Sequence, residues 1–175
     1  MNSKNSKKRL MYLSGEDFYL FCYSIFIILD ALDCTNGVLF KDYRKLAFLI
    51  SIINDEKLIY IITNSTGSDI NPVDKEYLFN SYSNGLMRRS EMLKLLFTLE
   101  KKGFVTLEKA KENTVIDLSL DKQSIPKNFF DKKVFSKEYK QALVLKKNVR
   151  GLRSLKLETM LEKIYTKKGV KTWAI

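Results

Sequence analysis

Histidine is absent from the 175 residues. That excludes His-based general acid/base catalysis, Ser-His and Cys-His nucleophile pairs, and most zinc and non-haem iron sites. Cysteine occurs only at Cys22 and Cys34, without CxxC spacing, so neither a thiolate metal cage nor a dithiol redox pair is expected. Cys22 sits in an apolar run and reads as a small buried hydrophobe, and a reducing cytoplasm fits this usage. Two prolines and seven glycines leave little room for long linkers or low-complexity tracts. No Gly-rich phosphate loop is present, which argues against an ATPase. Asp55-Glu56-Lys57 and Glu108-Lys109 lack the spaced Asp and Glu-x-Lys that two-metal cleavage requires. The expectation is a non-enzyme with no cofactor and no metal.

What is abundant is apolar surface and positive charge. Hydrophobic residues make up 45% and charged residues 29%, the balance of a soluble globular domain with a core, or one domain plus an appendage. The net charge is +11, and it is unevenly spread. Residues 1–100 hold 12 Lys/Arg and 12 Asp/Glu, whereas residues 101–175 hold 19 and 8. The whole excess therefore lies in the last 75 residues. Such asymmetry suits a polyanion or an acidic protein surface, although a lysine-rich solvated face is the plain alternative.

The N-terminal region imitates a secretory signal: basic residues, the apolar run Phe18–Leu29, then Cys34. Glu16 and Asp17 interrupt the pattern, Asp30 and Asp33 occupy the place of a small-residue cleavage site, and the run is too short to span a bilayer. Ser14-Gly15-Glu16-Asp17 reads instead as the start of a helix reaching about Asp33, apolar on most sides and therefore buried. Residues 1–13 are expected to form a disordered basic leader, with no membrane partner.

Residues 14–122 are expected to form a winged-helix-like domain of three helices and a β-hairpin. A second helix is expected over "LFKDYRKLAFLISIINDEKL", with Asp42 as its cap. Ile59–Ile62 extends it or forms a short strand, and Asn64–Pro72 is a loop. A third helix spans 86–102, its apolar arc built from Leu86, Met92, Leu93, Leu96, Phe97 and Leu99, with Gly103 as its stop. Phe104–Glu108 and Thr114–Leu120 alternate as hairpin strands around a Lys109–Asn113 turn. Residues 123–175 form a basic helical extension, with helices after Ser136 and around "SLKLETMLEKIYTKKG", and a tail bearing Trp173. The fold class is thus α+β, mainly α.

A DNA-reading third helix should display base-edge readers outward. This one offers none: Arg88, Lys94, Lys101 and Lys102 share the polar arc with Ser90, Glu91 and Thr98, and Arg89 falls in the apolar arc. Arg89 is better explained by an ion pair or carbonyl contact at a domain edge or interface. The wing, Lys109 and Lys111, can reach phosphates. The stronger cationic set is Lys132, Lys133, Lys137, Lys140, Lys146, Lys147, Arg150, Arg153 and Lys156, suited to sequence-independent contact with DNA or to an acidic partner. Phe135 and Tyr139 could interleave with these cations but fit a core better. Trp173 is expected to dock, on its own domain or on a partner.

One ordered set of segments carries a family resemblance: "ILDALD", "DYRKLAFLISII", "NPVDKEYLFNSYSNG" and "LMRRSEMLKLLFTLEKKGFVTLE". Over residues 16–120 this order resembles the small middle component of bacterial three-component ABC-ATPase systems, a group that includes the Lamassu-type anti-phage systems. Those systems combine an SMC-like ATPase, an effector that is often a nuclease, and such a small subunit. The resemblance implies a non-catalytic accessory subunit docked on the ATPase heads, restraining the effector or sensing double-stranded DNA in anti-phage or anti-plasmid defence. On this carry-over Arg88 and Arg89, with the first helix, serve inter-subunit contact. The alternative is a stand-alone winged-helix transcription regulator, which requires a symmetric dimer.

Overall fold

The computed structural model describes residues 18–111, 114–130 and 133–173; the expected leader, residues 1–13, lies outside them. The described chain is mainly helical with one small antiparallel sheet. Helix α1 covers residues 18–31. Five consecutive side chains, Ile25 to Leu29, are all buried, so the second half of α1 is wrapped on every side, whereas Phe18, Tyr19, Leu20 and Tyr23 in its first half are exposed. It ends as the backbone turns at Asp33 and Asn36, whose φ values are 56° and 51°. Short polar side chains tolerate that left-handed region.

The segment after α1 lies along the sheet. Thr35 bridges Leu120 and Phe40 bridges Leu118. A 3₁₀ turn, Tyr43–Lys45, then leads into α2, Leu46–Ile53. Asp42 caps this turn, accepting from Arg44 N at 3.2 Å. The single second helix expected from sequence is two helices, because Asn54 and Asp55 divide it. Asn54 Nδ2 donates to Ile50 O at 2.8 Å, closing α2. Asp55, in extended backbone, accepts from Lys57 N and Leu58 N and so starts α3, Glu56–Asn64. Ile59–Ile62 belongs to α3.

Helix α4, Pro72–Met87, is not legible as a period and is an addition to the expected plan. Asn71 caps it by accepting from Asp74 N at 2.8 Å, and Pro72 occupies its first turn. Its buried face is Leu78, Ser81, Tyr82 and Gly85, too polar and small to register as an apolar stripe. The small residues matter: a Cβ on Gly85 would stand 2.3 Å from Phe48 Cδ1. That close approach lets Phe48 stack on Tyr82 with ring centroids 5.8 Å apart.

Arg88 joins α4 to α5, Arg89–Lys101. The buried side of α5 is Met92, Leu95, Leu96 and Leu99, the spacing of one helix face. This corrects the expected arc: Leu95 belongs to the core, and Phe97 is 51% exposed. Gly103, with φ of 77°, ends the helix as expected. Strands β1, Val105–Lys109, and β2, Ile116–Leu120, pair antiparallel with Val105 opposite Leu120. The hairpin therefore forms where the alternation puts it. Its polar residues do not all face solvent, however. Asp117 and Ser119 on β2 are buried because segment 35–42 runs across them. Ser119 Oγ accepts from Gly37 N at 2.9 Å, and Asp117 Oδ1 accepts from Asp42 N at 2.9 Å.

The basic extension packs into the same core. Helices α6, Ser136–Asn148, and α7, Leu157–Ile164, bury Ala142, Leu145, Leu157, Met160, Leu161 and Ile164. Helix α6 lies against α2 and α3. Asp30 ties it to α1, accepting from Tyr139 Oη at 3.0 Å and from Lys122 Nζ at 2.6 Å. A second tie is Lys45. Its side chain is fully buried, and its Nζ donates to Leu152 O at 2.7 Å and Arg153 O at 3.3 Å. The same ammonium lies 4.2 Å from the Phe40 ring centroid.

Candidate nucleic-acid interface

The cationic residues singled out in sequence separate into three groups. Lys137 and Lys146 are tied within the molecule, to Glu56 at 3.0 Å and to Asp33 at 2.5 Å. Lys133, Lys140, Lys147, Arg150, Arg153 and Lys156 are exposed and have no ion pair among the described residues. Lys132 lies outside the described residues. On α6, Lys140 and Lys147 are two turns apart on the outward side, beside Leu143, which is 43% exposed. Arg153 presents its side chain to solvent while its carbonyl accepts from Lys41 N and Lys45 Nζ.

The fold brings the hairpin turn and the C-terminal region together. Lys111 at the end of the hairpin and Lys156 just before α7 line one cleft of about 560 Å³. Lys41 and Arg44, which sequence reasoning does not single out, line it too, as do Asp42, Asp117 and Glu158. Two of these carboxylates are already engaged. Asp117 accepts from Lys41 Nζ at 2.8 Å, and Asp42 takes a bidentate contact from Arg44, with Nε at 2.8 Å and Nη2 at 2.7 Å. These pairs hold the wall of the cleft in place. Lys111, Lys156 and Glu158 complete the charged lining, two cations against one carboxylate, a weakly positive mouth suited to contact with one or two backbone phosphates. Lys109 is exposed on β1, at the same end of the hairpin.

The twin arginines diverge. Arg88 turns toward α1 and α2: Nη1 donates to Ser51 Oγ at 2.9 Å, and the guanidinium lies 5.2 Å from the Phe21 ring centroid. Arg89 is half-buried, in keeping with its place in the apolar arc, but no ion pair or hydrogen bond engages it among the described residues. Burial, with the positive charge of Arg44 nearby, lowers its pKa. The exposed side of α5 is Ser90, Glu91, Lys94, Phe97, Thr98 and Glu100, a surface without Asn or Gln.

Trp173 packs on α4, its ring edge-on to Tyr82 at 5.9 Å and to Phe79 at 6.3 Å. It nonetheless remains 56% exposed. Phe135 and Tyr139 pack against the core. Both cysteines are buried as free thiols, and burial raises Cys22 to about 11 and Cys34 to about 12, so neither is a nucleophile near neutral pH. Asp55 of the Asp-Glu-Lys triplet is engaged as a helix cap and accepts from Tyr77 Oη at 2.7 Å. No group of three or more His, Cys, Asp or Glu among the described residues is placed to hold a metal ion. No described helix is long and apolar enough to cross a membrane.

Comparison with protein-family models, with curated proteins and with solved structures finds no match to this chain.

Proposed function

We propose that the chain is a non-catalytic accessory subunit of an SMC-like ATPase complex in anti-phage or anti-plasmid defence. It docks on the ATPase heads, helps restrain an effector, and contacts double-stranded DNA through the backbone without reading sequence. The observation that carries the DNA part is the cleft beside the hairpin, which Lys111 and Lys156 both line although 45 positions separate them. The winged-helix reading has support in strand order. Strand β2 lies between β1 and the 35–40 segment, so a helix, an edge segment, further helices and a hairpin succeed one another as in a winged helix. The exposed side of α5 disfavours base readout. The half-buried Arg88 and Arg89 and the half-exposed Trp173 suit contact with other subunits.

The test is co-expression with the products of neighbouring genes, then purification of the assembly. A large coiled-coil ATPase that co-elutes with the full chain is the expected result. A lone, stable homodimer that holds one palindromic operator at high salt would overturn the proposal in favour of a stand-alone transcription regulator.

A further inference from the structure

Asn80, Asn84 and Arg88 succeed one another at four-residue steps along α4 and its C-cap, so they share one face. That face forms part of the lining of a second cleft, of about 410 Å³, together with Leu20 and Phe21 of α1 and Asn54. This second cleft shares no residue with the one beside the hairpin; it contains Arg88, and the inference deepens the subunit-contact role proposed above for that residue.

Arg88 is held in position by Ser51 Oγ and the Phe21 ring, yet no carboxylate among the described residues lies within ion-pair distance of it. The acid at the cleft, Asp55, is spent: Oδ1 accepts from Lys57 N and Leu58 N, and Oδ2 from Tyr77 Oη. The side-chain amides of Asn80 and Asn84 are exposed and have no hydrogen-bond partner among the described residues. A carboxamide offers one acceptor and two donors, the complement of a peptide N–H and C=O. Four residues of helix advance about 6 Å, and two residues of extended peptide advance about 6.6 Å. Successive side chains of the Asn80–Asn84–Arg88 row therefore keep step with alternate residues of an extended strand.

We infer that this cleft binds an extended peptide segment of a partner protein. Asn80 and Asn84 hold its backbone, and Arg88 pairs with an Asp or Glu one repeat further on. Leu20, 44% exposed, and Phe21 form the apolar wall for a neighbouring side chain. A nucleic acid is the poorer occupant, because Arg88 is the single Lys or Arg in the lining of this cleft, and a phosphate backbone requires a row of cations.

The experiment is to pan a library of random linear peptides on the full chain, then measure the selected peptides by fluorescence anisotropy. Enrichment of Asp or Glu at one register is expected. Arg88→Gln should weaken those peptides about tenfold or more. Asn80→Ala and Asn84→Ala, both at exposed positions, should weaken them without lowering the unfolding midpoint. Replacing the acidic residue of the peptide by its amide should erase the difference between wild type and Arg88→Gln. The inference is overturned if the library yields no acidic register. It is equally overturned if the selected peptides bind Arg88→Gln and Asn84→Ala as tightly as wild type, or if a poly-dT oligonucleotide displaces them with the same dependence on Arg88.

Discussion

Lys45 is the least ordinary side chain in the core. A lysine is almost never fully buried without a carboxylate partner, yet this one satisfies its ammonium with two carbonyls and an aromatic face. Burial pushes its pKa down to about 8, with Asp42 only partly opposing the shift; an unfolded chain holds the proton to about 10.4. The folded pKa lies below the unfolded one, so the unfolded chain binds more protons between these values. The penalty for burying the charge is thus fully present below about pH 8 and is relieved as pH rises toward about 10.4. Wild type should gain on the order of 1–3 kcal/mol relative to Lys45→Met between about pH 7 and about pH 10. Urea unfolding of both proteins across that range measures it. Parallel curves would mean that Nζ is solvated in the folded protein.

Helix α4 shows how an element can be essential and yet faint in sequence. Its packing against α2 relies on missing atoms, because Phe48 occupies the space that a side chain at position 85 would fill. Gly85→Ala raises helix propensity by up to about 1 kcal/mol, but it forces the methyl into the Phe48 ring. Overpacking of a closed core costs about 1–3 kcal/mol. Net destabilisation is expected, read as a lower urea midpoint with an unchanged slope, and a rise in the midpoint would contradict the packing described. The same logic separates what can be read in the chain from what cannot. The hairpin, α5, α6 and α7 are legible because alternation or a 3.6-residue stripe contrasts with polar neighbours. The α2–α3 break is not, since its signal is one Asp cap inside an apolar stretch. Helix α4 escapes because its core face includes Ser81, Tyr82 and Gly85. Of the candidate site, the charges of Lys111 and Lys156 are legible but their sharing of one cleft is not, since it depends on the chain returning past the hairpin after α6. Lys41 and Arg44 carry no signal of their own.

The charge asymmetry of the chain survives folding only in part. Lys41, Lys122, Lys137 and Lys146 are spent on Asp117, Asp30, Glu56 and Asp33, which binds the C-terminal half to the first half rather than to a polyanion. Among the described residues, the exposed cations include Lys111 and Lys156 at the cleft mouth and Lys140 and Lys147 on the outward side of α6. Each phosphate neutralised on duplex DNA contributes about −0.9 to the slope of log K against log salt. If the cleft mouth carries the contact, the double variant Lys111→Gln/Lys156→Gln should lose about 1–2 units of that slope on a mixed-sequence duplex. The variant Lys140→Gln/Lys147→Gln should then leave the slope unchanged. Lys57→Gln, on α3 beside Asp74, serves as the control for loss of charge alone. Fluorescence anisotropy at several salt concentrations gives all four slopes. Equal losses from the two double variants would move the phosphate path onto α6 as well as the hairpin side. No loss from either would mean that the positive excess is a solvated face and that the DNA contact belongs to another subunit.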